Sequence, residues 1–282
     1  MDDPVVLEAS QSSVELRKAI AFIGLHFRGL LSGDWKPTFR LVVAGIGACV
    51  FLLPALAVVV SVRLLRPWRF VRFGMLRSER IGHFAGNTDV YLAERANGYH
   101  GTSAKDVFFH NWPVCNRQLA RMWNRKLTVN PLAMYPYLLC RTIPGMRKHV
   151  VPWRLDQARD IYGLLGNTPS PISLTAEEEK DGWSRLGQMG VRPDVPFICI
   201  LSRDSKYLRA QQQGRDSRYQ DYRDASIDSY LSMATEFARR GYIILRMGSV
   251  VDKPLETGDS RIIDYATKHR RDELDIFLCA KC

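Results

Sequence analysis

The sequence predicts an α/β fold with two halves, the second of them incomplete, preceded by an N-terminal transmembrane or re-entrant helix. Two apolar runs, at residues 197–201 and 242–245, each end in charged residues, as buried strands do at the edge of a sheet. Apolar residues recur between them at helical spacing, and strand, helix and strand in this order form the unit of a parallel sheet. An uncharged segment at residues 41–62 predicts the N-terminal helix.

The composition excludes the disordered and fibrous classes of protein. Of 282 residues, 46% are hydrophobic and 24% are charged, which is ordinary for a chain that buries a core. The net charge is +11, and much of the excess lies in one basic run at residues 63–80. Its arginines are Arg63, Arg66, Arg69, Arg72, Arg77 and Arg80. Neither zinc-finger spacing nor an RNA-recognition motif accompanies this run, so nucleic acid is not an expected partner.

The segment at residues 41–62 is long enough to cross a bilayer, because as a helix it would extend about 33 Å against a hydrocarbon core of about 30 Å. More arginines follow it than precede it, and the positive-inside rule then places the C-terminal side in the cytoplasm. A buried core helix and a re-entrant hairpin bent at Pro54 are the alternatives. Residues 14–31 have the pattern of a basic amphipathic helix, which lies either at the membrane surface or on the folded domain. Residues 1–66 are therefore assigned to an amphipathic segment and a membrane anchor.

Strands and helices alternate in the predicted N-terminal half, residues 67–166. We expect strands at residues 69–76 and 107–110, helices at 84–96, 118–126 and 155–165, and a proline-marked connection at 131–139. Residues 166–171 contain two prolines among turn-forming residues, which is typical of a linker. The chain is therefore expected to divide near residue 166.

The predicted C-terminal half, residues 167–282, opens with a helix. Thr175 and Glu178 have the spacing of a capping box, and Gly190 is a typical helix stop. After the strand-helix-strand unit, Ile262-Ile263 forms a third short strand, and residues 274–280 begin another helix. A complete Rossmann domain needs more strands than these, so this half is incomplete.

Two arginines follow the predicted strands of the C-terminal half. Arg203 comes after the first strand and Arg246 follows the second, and ligands of parallel sheets bind beyond the carboxyl ends of the strands. A guanidinium binds phosphate through two parallel hydrogen bonds, so the pair predicts a phosphate-bearing ligand. Tyr222 and Arg223 are candidates to contact a base or a phosphate. The alternatives are salt bridges at the strand ends for the two arginines and a solvated loop for the other pair.

Gly82 and His83 stand at the predicted start of the helix that follows the first strand. Glycine permits close approach of the backbone to a ligand, and a helix N-terminus offers free N–H donors. Histidine titrates nearest to neutral pH, which makes His83 a candidate general base. The alternative is a turn glycine beside a histidine that caps the helix.

The cysteines predict no further chemistry. They are scattered at Cys49, Cys115, Cys140, Cys199, Cys279 and Cys282. This distribution favours reduced thiols, and the single C-x-x-C at the end lacks the second pair of ligands that zinc requires. No carboxylate cluster predicts a metal site either.

Several segments in combination resemble a bacterial glycosyltransferase family that has the GT-B architecture of two Rossmann-like domains. The resemblance runs from about residue 70 to the end of the chain. It is carried by Arg80-Ile-Gly-His83 with Asn87-Thr88, and by residues 197–205, 221–224, 241–248, 263–266 and 274–278. The chain departs from the family at Gln220, where a histidine is expected, and the family continues past Cys282 with a further strand and turn.

The resemblance implies a nucleotide-sugar donor held by the C-terminal half and an acceptor held by the N-terminal half, with no obligatory metal or cofactor. The implied donor-binding residues are Arg203, Asp204, Tyr222, Arg223, Arg246 and Gly248. The implied acceptor-binding residues are Arg80, Gly82, His83 and Asn87, with His83 as the catalytic base.

The sequence thus predicts a membrane-anchored glycosyltransferase of surface-polysaccharide assembly, facing the cytoplasm at the inner membrane. Its partners would be a nucleotide sugar, a lipid-linked or glycan acceptor, and the membrane. One alternative is a non-catalytic, truncated member of the same fold that is tethered to the membrane. Another is a module that binds anionic lipid or nucleic acid through the basic run.

Overall fold

The chain has an α/β fold with two small sheets, which confirms the predicted fold class at this level. A computed structural model describes residues 36–101, 103–152, 159–203, 206 and 222–282, with side chains from residue 50 onward. The predicted amphipathic helix at residues 14–31 lies outside the described residues. One sheet pairs two strands, and the other has three parallel strands.

The described residues form five strands and eight α-helices. The strands are β1 (Val71–Leu76), β2 (Lys105–His110), β3 (Phe197–Leu201), β4 (Ile243–Met247) and β5 (Ile262–Ile263). The α-helices are α1 (Lys36–Leu64), α2 (Thr88–Ala96), α3 (Arg117–Asn124), α4 (Met134–Thr142), α5 (Ala176–Gln188), α6 (Leu231–Arg239), α7 (Tyr265–Lys268) and α8 (Asp272–Lys281). A π-helix spans His83–Asn87, and 3₁₀ turns span Pro131–Ala133, Arg147–His149 and Ile227–Tyr230.

The fold divides into two compact units. Unit 1 contains the described parts of Met1–Phe73 together with Leu132–Val151, and unit 2 contains Gly74–Pro131 and the described parts of Pro152–Cys282. These units are not the three domains expected from the sequence, whose boundaries at residues 66 and 166 remain predictions.

Unit 1 is built from α1 and α4. In α1, Ala55, Val59 and Val62 are buried, a spacing of four and three residues that forms one helix face. The Phe51 ring stacks on the Tyr135 ring of α4, with centroids 5.0 Å apart. Residues 41–62 are therefore helical, as predicted. Of the helices that the described residues form, none is both long and apolar enough to cross a membrane.

The connection expected at residues 131–139 is wrong, because α4 begins there at Met134. Proline marks that segment in the sequence, yet Pro136 is the third residue of α4, within the first turn. In a first turn the missing N–H of proline has no helical partner to lose. The prolines therefore accompany a helix start here and do not exclude a helix.

The strands predicted at residues 69–76 and 107–110 are present as β1 and β2, and all of β1 after Phe73 belongs to unit 2. The expected helix at 84–96 is also present, although its first turn is π-helical over His83–Asn87 before α2 begins. The buried Trp123 of α3 donates its indole N–H to the Phe84 carbonyl at 3.1 Å and so fixes α3 beneath this turn. The N-terminus of α3 is capped by Asn116, whose side-chain oxygen accepts from the Leu119 N–H at 2.8 Å.

The C-terminal half contains the predicted parallel unit. β3 pairs with β4 from Phe197 opposite Ile243 to Leu201 opposite Met247, and β5 adds to the other side of β4. Helices cover both faces of the sheet, and neighbouring residues of β4 pack into different hydrophobic clusters. Leu245 packs with residues of α5 and α8, whereas Ile244 packs with residues of α6. This two-faced burial explains why the strands read as continuous apolar runs.

Two local features of α5 were predicted from the sequence and are confirmed. Thr175 accepts from the Glu178 N–H at 3.2 Å, and the Glu178 carboxylate accepts from the Thr175 N–H at 2.8 Å, which completes a capping box. The helix ends before Gly190, whose φ of 81° is a conformation that glycine adopts without strain. Midway along α5, a Cβ added to Gly182 would lie 2.2 Å from the Phe277 ring of α8. The close packing of α5 on α8 thus requires glycine at this position.

A polar network joins the two halves of unit 2. Arg125, at the C-terminal end of α3, donates to both carboxylate oxygens of Glu178, at 2.7 and 3.1 Å, and Gln118 donates to the same carboxylate at 2.5 Å. Asn116 donates to the Asp272 carbonyl at 3.0 Å. Burial would raise the pKa of Glu178, but hydrogen bonds from Arg125, the Thr175 N–H and Gln118 outweigh it and lower the pKa to about 2.

The helix expected at residues 155–165 is wrong for the residues that the structure describes, since 159–165 form turns and 153–158 lie outside the described residues. The carboxylate of Asp160 accepts from the N–H groups of Leu164 and Leu165, at 2.8 and 2.7 Å. These side-chain bonds offer the backbone an alternative to the helical pattern. Gly163 then turns the chain with a φ of 64°.

Candidate functional site

The carboxyl end of β3 is held by hydrogen bonds to Ala225, which lies more than twenty residues further along the chain. Ser202 is buried, and its hydroxyl donates to the Ala225 carbonyl. The Ala225 N–H donates to the Arg203 carbonyl at 2.8 Å. The Arg203 Nε lies 3.6 Å from Asp224 Oδ1, and 29% of its side chain is exposed. Arg203 therefore forms a strand-end ion pair and still reaches solvent, while Asp204 lies outside the described residues.

The side chain of Arg246, unlike that of Arg203, is buried. Its side chain is 2% exposed, and its Nη1 lies 3.0 Å from Asp264 Oδ1, at the end of β5. Its Nη2 donates to the Lys253 carbonyl at 3.3 Å. Asp264 also accepts from the Leu255 N–H at 2.9 Å and from the Thr267 hydroxyl at 2.5 Å. Arg246 therefore holds the loop between β4 and β5 on the sheet end, which is the salt-bridge alternative left open by the sequence.

The carboxylate of Asp264 stays ionised in this buried position. Burial alone would raise its pKa, but the hydrogen bonds from Thr267, the Leu255 N–H and Arg246 outweigh this and lower it below the ordinary value. The ion pair is therefore complete at neutral pH. Arg246 was predicted to bind the sugar donor. Because it is buried, it could affect donor binding only by positioning the loop between β4 and β5.

Gly248 lies two residues after Arg246, and the chain passes closely over it. A Cβ at Gly248 would lie 2.5 Å from Val251 Cγ1 and 3.5 Å from Ala266 Cβ. The backbone φ of Gly248 is 154°. Glycine is thus required here by the packing of the loop between β4 and β5, and this requirement neither needs nor excludes a ligand.

The remaining donor candidates are exposed at the entrance to α6. Tyr222 is 86% exposed and Arg223 is also exposed. Ser226 caps the 3₁₀ turn that follows, since its hydroxyl accepts from the Asp228 N–H at 3.3 Å. Lys253 pairs with Asp228 on the same edge. The exposed groups at this edge of the sheet are therefore the Tyr222 ring, the Arg223 guanidinium and the Lys253–Asp228 ion pair.

The acceptor candidates lie together around the π-helical turn. The Arg80 carbonyl accepts from the Phe84 N–H at 2.8 Å, and Gly82 is exposed at the N-terminus of the turn. His83 Nδ1 lies 3.3 Å from the side-chain oxygen of Asn87. The Nδ1–H tautomer of His83 would make this hydrogen bond to the Asn87 oxygen and would keep the lone pair on Nε2.

Two buried polar atoms next to His83 have no hydrogen-bond partner among the described residues. They are the side-chain nitrogen of Asn87 and the hydroxyl of Thr88. π-helical turns occur often at functional sites, because the wider turn displaces side chains from the regular helical direction. Gly82 itself has helical φ and ψ, and a Cβ there would meet nothing within 4 Å. The backbone therefore does not require glycine at position 82.

Sequence reasoning missed a second group at the carboxyl edge of the N-terminal sheet. The hydroxyl of Ser78, after β1, donates to the Asn111 carbonyl at 2.5 Å. His110 ends β2, and its Nε2 lies 3.0 Å from the Asn124 side-chain oxygen. Burial lowers the pKa of His110, with a smaller opposing effect of Asn124. Trp112 follows and is 81% exposed. The rule that directed attention to Arg203 and Arg246, polar residues after a strand, would have found this group.

Cys115 lies between the residues after β1 and the start of α8. The Cys115 N–H donates to the Ser78 carbonyl at 2.8 Å. Burial raises the pKa of the Cys115 thiol to about 11, and the negative charges of Asp272 and Glu79 contribute. Arg270 pairs with Asp272 at 3.1 Å. The carboxyl edge of the N-terminal sheet thus meets the C-terminal half at a charged junction.

Within the ranges described, three or more histidine, cysteine or acidic side chains nowhere converge as metal ligands would. The thiols of Cys115, Cys140, Cys199, Cys279 and Cys282 are free. The chain was also compared with protein-family models, curated proteins and solved structures, and none of the three comparisons gave a match. The family resemblance described above therefore stays a prediction.

Proposed function

We propose that the chain is a glycosyltransferase that moves a sugar from a nucleotide donor to a lipid-linked or surface-polysaccharide acceptor, in a GT-B arrangement of two Rossmann-like halves. The observation that carries this proposal is the parallel β3–β4–β5 sheet, covered by helices on both faces and edged by the partly exposed Arg203. Parallel sheets of this kind bind nucleotides at the carboxyl ends of their strands.

The donor would lie against the exposed cations of that edge. Arg203, which is 29% exposed beside Asp224, and the exposed Arg223 would neutralise a diphosphate, and Tyr222 would offer an aromatic face to a base. As the sugar leaves, negative charge develops on the diphosphate, and fixed cations stabilise the transition state. Arg246 would act indirectly, because its pairing with Asp264 fixes the adjoining loop.

The acceptor would lie against the π-helical turn. Nε2 of His83 is the nitrogen able to take the proton from the acceptor hydroxyl, since Nδ1 is held by Asn87 at 3.3 Å. Asn87 and Thr88 are buried in the same turn, so they would support the imidazole and the turn rather than contact the acceptor themselves.

The protein would act at the cytoplasmic face of the inner membrane, where a lipid-linked acceptor is found. The exposed apolar side chains of α1, among them Leu53 and Leu64, support an attachment of unit 1 to lipid. Sugar transfer then takes place at the membrane surface, on a substrate that remains in the bilayer.

The test is a panel of nucleotide sugars added to the purified chain, with the melting temperature and the released nucleotide as readouts. One donor should raise the melting temperature and release nucleotide when acceptor lipid is added. Arg203→Ala should remove both effects, whereas Arg192→Ala changes an exposed arginine that pairs with Asp194 and should change neither. Absence of a shift and of release with every donor would contradict the proposal. A shift without release would indicate a nucleotide-binding protein that does not transfer sugar.

A further inference from the structure

Unit 1 carries a pocket of uniform positive charge beyond the end of α1. Arg63, Arg66, Pro67 and Lys148 line a cavity of about 450 Å³. Lys148 comes from the 3₁₀ turn Arg147–His149, which lies more than eighty residues along the chain from Arg63. The fold therefore gathers these cations from separate segments, and the pocket is not a property of the basic run alone.

The three cations of this pocket are not neutralised within the part of the chain that the structure describes. Arg63 Nη1 contacts Met146 Sδ at 3.5 Å, and Arg66 lies over the Phe70 ring at 5.5 Å from its centroid. Neither contact supplies a negative charge. The pKa of Lys148 is lowered, first by desolvation and then by the positive charges of Arg66 and Arg63. An anion in the pocket would relieve this repulsion.

A buried histidine follows Lys148 directly in the chain. His149 has no exposed surface, and its Nδ1 lies 2.7 Å from the Val71 carbonyl. Its Nε2 is buried and has no hydrogen-bond partner among the described residues. The Phe70 ring contacts the imidazole edge-on, with centroids 5.3 Å apart. Phe70 thus contacts both His149 and Arg66, one of the residues that line the pocket.

An apolar surface leads directly to the pocket. Along α1 and the residues after it, the exposed apolar side chains are Val50, Phe51, Leu53, Leu56, Val58, Val60, Leu64, Leu65 and Trp68. Trp68 is 79% exposed and lies next to Pro67 of the pocket. Tryptophan prefers the boundary between lipid tails and headgroups. Apolar side chains bordered by tryptophan and cations form the pattern of a surface that binds anionic bilayers.

We propose that unit 1 binds the surface of an anionic phospholipid bilayer, with one lipid phosphate held between Arg63, Arg66 and Lys148 and the apolar face of α1 among the acyl chains. Other arginines of the basic run have different roles. Arg72 is buried, and Arg77 pairs with Glu79 at 3.4 Å. This site uses residues of unit 1 alone, none of which is a donor or acceptor candidate, so lipid binding does not depend on sugar transfer.

The test is co-sedimentation of the full chain with vesicles of phosphatidylcholine alone or mixed with phosphatidylglycerol. Binding should require phosphatidylglycerol and weaken as salt is raised. Removing one pocket cation, by Arg66→Ala or Lys148→Ala, should weaken binding about fivefold, and removing both about 25-fold. Arg66→Lys keeps the charge and should retain most of the binding. Arg192→Ala, far along the chain on unit 2, should bind as the unaltered protein does.

Four results would overturn the proposal. Equal binding to neutral vesicles would show that apolar contact alone is responsible. Unchanged binding by the double variant, with a normal circular dichroism spectrum, would show that the pocket holds no headgroup. Competition by millimolar inorganic phosphate, with no preference for vesicles, would make this a site for free phosphate. A stable dimer that is lost in Trp68→Ala, without vesicle binding, would assign the apolar face to a second copy of the chain.

Discussion

Arg246 and Asp264 form a buried ion pair that joins the ends of β4 and β5. The Nη1–Oδ1 distance is 3.0 Å, and neither side chain is more than 2% exposed. A buried pair contributes little net stability relative to an apolar pair, but removal of one partner leaves an uncompensated charge in the interior. Substitution of Arg246 is therefore expected to lower the stability of the fold before it affects ligand binding.

Arg246→Ala should lower the free energy of unfolding by about 3–5 kcal/mol, measured by urea denaturation. Asp264→Ala should cost a similar amount, because the guanidinium then loses its counter-charge. The double variant Arg246→Met with Asp264→Leu should recover only part of the loss, because the Leu255 N–H and the Lys253 carbonyl then lack their partners. If Arg246→Ala leaves stability unchanged and removes only nucleotide binding, Arg246 is a ligand residue and the structural role is wrong.

Gly182→Ala should destabilise the C-terminal half, because the new methyl group would lie 2.2 Å from the Phe277 ring. Overpacking of this kind costs roughly 1–3 kcal/mol. Gly187→Ala in the same helix is the matched control, since its Cβ meets nothing within 4 Å. That control should stabilise the chain by up to about 1 kcal/mol through helix propensity. Equal effects of the two changes in thermal unfolding would contradict the close packing of α5 on α8.

Glu178 should make unfolding sensitive to acid. Its pKa is about 2 in the folded chain against an ordinary value of 4.5. The stability that it contributes is therefore present above pH 4.5 and is lost as the pH falls toward 2. Glu178→Gln should lower the urea midpoint at pH 6 and flatten its fall between pH 5 and pH 2.5. Glu177→Gln removes a charge from the same turn and should leave the slope unchanged.

His83→Ala should lower kcat at least about a hundredfold with little change in KM for the donor, if His83 is the general base of the proposed transfer. Asn87→Ala should lower kcat less, because it removes only the group that fixes the imidazole tautomer. His269→Ala, which changes an exposed histidine after α7, is the control. A normal pH profile of the His83→Ala enzyme would exclude His83 as the base.

Regular periodicity and capping made much of the fold predictable. The runs that became β3 and β4 are buried on both faces, so they are apolar throughout, and the capping box at Thr175 depends on neighbours three residues apart. The π-helical turn was not predictable in this way, because one added residue per turn leaves no periodic trace over His83–Asn87. The turn at Asp160 was missed because side-chain bonds to the backbone compete with helical spacing.

The candidate site was predictable in position but not in exposure. Strand ends directed attention to Arg203 and Arg246, yet their partners, Asp224 and Asp264, decide which guanidinium reaches solvent. Those pairings join residues about twenty positions apart and depend on how the chain returns to the sheet. Lys148 illustrates the same limit, since only the folded chain places it beside Arg63 and Arg66.

Unit 1 is assembled from two stretches of sequence that flank Gly74–Pro131. A fragment that starts at residue 67, the boundary suggested by hydropathy, would discard α1 and leave α4 without its partner helix. The Tyr135 ring of α4 would then lose the Phe51 ring on which it stacks. Expression of the chain without its first helix should therefore yield an aggregation-prone product, and a shortened version for crystallisation must retain both stretches or remove both.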